Sequence, residues 1–111
     1  LQEKSLNFNE ESFQKSVDYI TKLIDHEASI VPANTIIVGG VGQGAALALH
    51  AGLLYPKPLS GLISCNGFLL PKYSKVYQKQ AQQRGTSVLV LHGAKYNQIP
   101  LSYGEFTEAQ L

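Results

Sequence analysis

From Ala28 through Gly104 the chain contains no aspartate and no glutamate. All eight carboxylates fall within residues 3–27 or 105–108, while the acid-free stretch still carries Lys57, Lys72, Lys75, Lys79, Arg84 and Lys95. Carboxylates are the usual orienters of a catalytic histidine, the usual ligands of hard cations and the usual anchors of a nucleotide ribose. The middle of the chain lacks all three, so we expect no metal site and no bound cofactor. Methionine and tryptophan are also absent, and cysteine occurs once. A lone Cys65 excludes an internal disulfide, which fits a reducing compartment and a cytoplasmic placement. No apolar run approaches the roughly 20 residues of a membrane-spanning helix, and none reads as a secretory signal. A formal net charge of +1 argues against a dedicated nucleic-acid binder. With leucine first and no methionine anywhere, the sequence reads as part of a longer chain. Its 111 residues allow at most one domain, with a modest core.

Against these absences, residues 36–54 are dense in signals. Ile36, Ile37 and Val38 are consecutive and β-branched, as in a strand covered on both faces. Gly39, Gly40, Gly42 and Gly44 follow and permit a sharp turn with positive φ. Ala45 to Leu54 is rich in helix formers and small residues, so the helix can pack closely on the strand. Three readings fit such a turn. Gly40-Val41-Gly42-Gln43-Gly44 carries the glycines of a nucleophile elbow, G-x-S-x-G, with Gly42 where the nucleophile would stand. Gly40, Gly42 and Ala45 satisfy a loose dinucleotide pattern, although no acidic residue follows at the expected distance. A tight structural turn without chemistry is the third.

The remainder alternates helix and strand. Phe13, Val17, Ile20, Leu23 and Ile24 recur at helical spacing, predicting an amphipathic helix over 10–28 with Asp18, Lys22 and Asp25 on its wetter face. Asn7 with Glu10 three residues on resembles a capping box at its start. His26 reads as a solvated partner of the helix C-terminus. Pro32 closes that helix, and Pro56 and Pro58 close the next. His50, with no acidic neighbour, reads as a packed or half-exposed histidine. Residues 61–67 predict a second buried strand, with Cys65 as a small core residue. Residues 74–84 predict a basic helix closed by Gly85, and residues 79–84 read as a solvated face with partner binding as the alternative. Ser87 to Leu91 predict a third buried strand, residues 92–100 a loop, and Pro100 the opening of a last helix. This order is that of a parallel α/β sheet with flanking helices. Three strands are few for such a sheet, and its edges call for cover from other chain or another subunit.

These residues resemble the acyl-protein thioesterase and carboxylesterase family of α/β-hydrolases. Residues 36–49 are similar to its elbow, a strand followed by G-G-F-S-Q-G. Pro32-Ala33-Asn34-Thr35 matches its approach to that strand, and Leu59 through Leu69 matches its next strand, L-A-G-x-x-x-L-S-G. Val88 through Gly93 matches the strand ending in H-G, and Ala94 through Pro100 the loop G-x-x-D-x-x-V-P. The resemblance implies a partial α/β-hydrolase fold over residues 1–111, spanning the middle of that fold.

It also implies what is missing. The family's nucleophilic serine falls on Gly42 and its triad aspartate on Tyr96. Its triad histidine lies downstream of that aspartate, whereas His26, His50 and His92 all precede Tyr96. Glycine offers no Oγ for an acyl-enzyme, and tyrosine no carboxylate to stabilise an imidazolium. The Gln43 N–H, at the helix start, is the surviving oxyanion-type donor. We therefore expect a catalytically inactive domain with a scaffold or protein-interaction role, partnered by other subunits or by further parts of its own chain. One alternative is an active serine esterase or thioesterase with displaced catalytic residues, for which Ser64 and Cys65 are the nearest nucleophiles. Another is a module that binds an acyl ligand without turning it over.

Overall fold

The computed structural model describes residues 9–70, 73, 75–77 and 85–93. Helix α1 spans Glu10–Ala28, strand β1 Ile37–Val41, helix α2 Gln43–Leu54, strand β2 Gly61–Cys65 and strand β3 Ser87–Leu91, with a 3-10 turn at Ala33–Thr35. The strands form one parallel sheet in the order β1-β2-β3. The chain is thus α/β, with a parallel sheet and flanking helices.

Helix α1 starts at Asn9, whose Oδ1 accepts a hydrogen bond from the Ser12 N–H at 3.0 Å. The cap is therefore two residues later than the sequence pattern placed it, since the Asn9 side chain meets a first-turn amide; Asn7 lies outside the described residues. Glu10 and Glu11 sit at the positive end of the helix dipole and His26 at its negative end. Val17 and Ile24 form the buried stripe, whereas Leu23, at the same helical spacing, is exposed. Asp25 is on the outer side, yet its carboxylate accepts a 2.6 Å hydrogen bond from the Tyr55 hydroxyl, tying the end of α1 to the end of α2.

Helix α2 is apolar on all sides, as a helix enclosed by other elements must be. Ala45, Ala46, Ala48, Leu49, Ala51 and Leu53 are all buried. A Cβ added at Gly52 would overlap the Leu62 side chain, so the small residues let α2 lie directly on β1 and β2. Leu49, Leu53, Leu59, Leu62, Leu69, Ile24, Tyr55 and Tyr77 make up the core between the sheet and the two helices. Each fully buried leucine contributes roughly 1.5–3 kcal/mol.

The sheet departs from expectation in one respect. Strands β1 and β3 alternate between exposed and half-buried residues, and the described residues cover them on one face only. Val38, Leu62 and Val88 point to the helices, while Ile37, Val41, Ile63, Leu89 and Leu91 lie on a face that no described residue covers. Cys65 shares that outer side and is half-buried, not a core residue. Sequence alone shows that both sides of these strands are apolar; it does not show which cover is present. Only Lys75–Tyr77 of the predicted 74–84 helix is described, and it is helical. The basic run at 79–84, the loop after Gly93 and the helix expected from Pro100 lie outside the described residues.

Candidate functional site: the elbow between β1 and α2

Strand β1 runs further into the glycine motif than the sequence suggested. Gly39 and Gly40 are strand residues, paired with Ile63 and Ser64. The turn itself is Gly42, with φ 62° and ψ −126°, at the cap position of α2. It is the one residue of the motif in the left-handed half of φ space, the conformation in which an elbow holds its nucleophile. Its N–H donates to the Cys65 carbonyl at 2.9 Å, fastening the turn to the end of β2. Its carbonyl accepts from Ala45 and Ala46 and opens the helix.

Gly40 has a different reason to be glycine. A Cβ there would fall onto the Gly44 carbonyl and lie 2.7 Å from the Ala45 nitrogen, both backbone atoms of the first turn of α2. Gly44 has no such neighbour within 4 Å. The turn is therefore built by Gly40, which admits the helix, and Gly42, which reverses the chain. Helix α2 lacks a side-chain cap, and the Gln43 N–H, the expected oxyanion-type donor, has no partner among the described residues.

Asn66 was not singled out as a functional position by sequence, and it organises the neighbouring strand ends. It adopts φ 55°, donates its N–H to the Leu91 carbonyl at 2.7 Å, and accepts at Oδ1 from the Gly93 N–H at 2.7 Å. It thereby fixes the start of the loop that leads toward Tyr96, which itself lies outside the described residues. The Asn66-Gly67 pair is a recognised turn signal, and it was the available clue. The three strand ends, the elbow and this loop share the carboxyl edge of the sheet, where open α/β sheets place their sites.

The alternative nucleophiles do not join this site. Ser64 is 0% exposed and points to α2, and its Oγ has no hydrogen-bond partner among the described residues. Cys65 lies on the opposite side of β2. Of the histidines, His26 is exposed at the far end of α1. His50 is 3% exposed inside the helix layer, with Nδ1 2.5 Å from the Tyr77 hydroxyl. Burial alone pushes its imidazole down to about 4. No group of three or more metal-ligating side chains occurs among the described residues, and no described helix is long and apolar enough to cross a membrane.

Beside the elbow, a cleft of about 270 Å³ opens between the first turns of α1 and α2. Phe13, Leu47 and Phe68 supply its apolar lining, and Asn9, Ser12, Ser16 and Gln43 its polar lining.

A family model described as Phospholipase/Carboxylesterase matches residues 1–111. The chain belongs to this family. Its relatives include acyl-protein thioesterase 1 of Yarrowia lipolytica, 30% identical over 100 residues that make up 89% of this chain and 44% of that protein. Acyl-protein thioesterase 1 of Schizosaccharomyces pombe is 39% identical over 62 residues, 55% of this chain and 28% of that protein. A protein of Oryza sativa subsp. japonica named as a probable inactive carboxylesterase is 34% identical over 97 residues, 86% of this chain and 40% of its own length. Among solved structures, Arabidopsis thaliana SOBER1 superposes with a TM-score of 0.78 at 27% identity, over 94% of this chain and 50% of that one. The phospholipase/carboxylesterase-type chain thus spans about half of these relatives or less, and its elements are those of a partial α/β-hydrolase fold.

Proposed function

We propose that this chain is a catalytically silent phospholipase/carboxylesterase-type domain, retained for its frame and for binding another protein. Gly42 carries the proposal: the turn has an elbow's backbone, and the residue on it has no side chain to act as nucleophile. Tyr96 at the family's acid position and the absence of any carboxylate from Ala28 through Gly104 support the same reading. So does the resemblance to a rice protein named as inactive, although other relatives are named thioesterases. The single cysteine suits a cytoplasmic placement. The test is activity-based labelling of the native protein with a fluorophosphonate, followed by assays on acyl esters and acyl thioesters. We expect no covalent adduct at the elbow and no turnover above buffer. A stoichiometric adduct, or hydrolysis that survives both Ser64→Ala and Cys65→Ala, would overturn the proposal and favour an active hydrolase with displaced residues.

The cleft favours a second reading, a site that holds an acyl group without cleaving it. Phe13, Leu47 and Phe68 lie beside Gln43, where an acyl tail and a carbonyl oxygen would be placed together. Saturable binding of a non-hydrolysable acyl thioether, weakened by Leu47→Gln, would support it.

A further inference from the structure

Three described rings, Phe13, Tyr73 and Tyr77, converge on one residue that the elbow chemistry does not use. His50 lies two turns along α2 from Gly42. Phe13 of α1 meets its ring edge-on at 5.3 Å between centroids, Tyr73 at 5.0 Å and Tyr77 at 5.6 Å. Its Nδ1 shares a hydrogen bond with the Tyr77 hydroxyl. The Tyr73 hydroxyl in turn donates to Glu10 Oε1 at 3.2 Å, in the first turn of α1. One imidazole therefore joins α2 and the start of α1 to Tyr73 and Tyr77. Phe13 is both a wall of this cluster and a wall of the cleft beside the elbow.

We propose that His50 is an acid-sensitive latch: adding a proton to its imidazole undocks Tyr73, Tyr77 and Phe13 from α2 and opens the cleft beside the elbow while the sheet stays folded. A charged imidazolium in this site would lose its water to aromatic carbon, and no described carboxylate contacts it in return. From α1 the cluster receives Phe13, with Glu10 held by Tyr73; the two phenols of Tyr73 and Tyr77 complete it, while Lys75 is exposed. The side of the sheet beneath α2 presents Val38, Gly40, Leu62 and Ser64, none of which titrates. Asp25 is held by Tyr55 at the far end of α2. Among the described residues no group offsets the charge, so opening is what relieves it. Because the neutral form is favoured down to about 4 rather than 6.5, the opened population rises roughly 20-fold between pH 7 and pH 5.

The experiment is a pH series on the native protein by NMR, following the His50 ring, the Tyr73 and Tyr77 rings and the backbone amides of the sheet. Far-ultraviolet circular dichroism is recorded alongside, and His50→Gln serves as the non-titrating comparison. The expected result is that the tyrosine and Phe13 signals move with the His50 titration between pH 6.5 and 4. The β1 and β2 amides stay dispersed, and the His50→Gln protein shows no such step. A His50 that titrates near 6.5 with unmoved tyrosine signals would overturn the latch. So would loss of sheet and rings in one step, or an equal step in the His50→Gln protein. The ring titration is read on the unsubstituted protein, so the test holds even if the variant folds poorly. It is also independent of whether the elbow has activity.

Discussion

The three alternating glycines at the elbow look equivalent in sequence and are not equivalent in the structure, which allows a sharp test by alanine substitution. At Gly40 the new methyl meets the backbone of Gly44 and Ala45. Backbone cannot swing aside as a side-chain tip can, so the first turn of α2 must lift from β1, disturbing the packing of Ala45, Ala46 and Leu49. Gly40→Ala should therefore destabilise by about 3 kcal/mol or more, the scale of overpacked cores and lost buried contacts. At Gly42 the difficulty is conformational: alanine at φ 62° is held in a sparsely populated region, and the expected loss is about 1–3 kcal/mol. Gly44 sits in the first turn of α2 with negative φ and open space around its Cα. Alanine there removes backbone freedom from the unfolded chain and improves helix propensity, so Gly44→Ala should stabilise by about 0.4–1 kcal/mol. The assay is urea unfolding of the native protein and its three variants, followed by far-ultraviolet circular dichroism and compared at constant m-value. A neutral Gly40→Ala, or a Gly44→Ala loss above about 1 kcal/mol, would refute the assignment of steric roles.

Other perturbations follow from single contacts. Ser64→Ala deletes a buried hydroxyl with no partner among the described residues; it should be neutral or stabilising by up to about 1 kcal/mol in the same unfolding assay, against the usual sign of a core polar deletion. Tyr55→Phe removes the hydrogen bond to Asp25, which raises the phenol's own pKa, and should lower stability by about 1–2 kcal/mol, with a clearly smaller effect in an Asp25→Ala background, where the acceptor is gone. Global stability should fall on acidification through His50. Both states hold it neutral above 6.5, the unfolded chain gains the proton first as pH drops, and the penalty is complete once pH passes the folded value of about 4. A fall from 6.5 to about 4 at about 1.4 kcal/mol per pH unit amounts to about 3 kcal/mol. That exceeds the roughly 0.5–2 kcal/mol with which aromatic faces would attract the imidazolium, so the sign is set by burial. Unfolding curves at pH 7 and 5 should therefore differ by about 2 kcal/mol more for the unsubstituted protein than for His50→Gln.

Periodicity carried most of the fold. The spacing of Phe13, Val17, Ile20 and Ile24 predicted α1 because one apolar stripe must face a core, and the structure returns Glu10–Ala28. Leu23 shared that spacing but faces out, since periodicity marks a stripe's direction and not its width. The third strand was legible as an unbroken apolar run, and its parallel direction followed from the α/β alternation; that it pairs with β2 is read from the structure. The extent of β1 was not. Gly39 and Gly40 read as turn residues because glycine disfavours strands, yet register with Ile63 and Ser64 overrides that preference. The cap at Asn9 lost out in the reading to Asn7, since both asparagines precede glutamates and only backbone direction separates them. The spacing of the elbow glycines already put Gly42 where a nucleophile would stand; the resemblance added that the family has a serine there, and gave Gln43 its role as donor. The His50 cluster stayed hidden because its partners are 37 residues before it and 27 after it in the chain.

Gly42 also bears on what the turn would gain in stability if the elbow is silent, as proposed. A serine on this turn must hold φ near 60°, which for a residue with a Cβ costs about 1–3 kcal/mol, and a working enzyme tolerates that strain because the turn presents its nucleophile. Glycine adopts the same backbone without the penalty. Once turnover is not required, replacing the serine by glycine raises stability and leaves the turn, the Cys65 hydrogen bond and the close seating of α2 untouched. No such gain is available at Gly40, where any side chain meets backbone. A frame under pressure to stay folded but not to react would therefore keep Gly40 and accept glycine at position 42, which is the combination this chain carries. The proposed role accords with that asymmetry: on that proposal, the residue given up is the one the turn strains, and the residue kept is the one the packing needs.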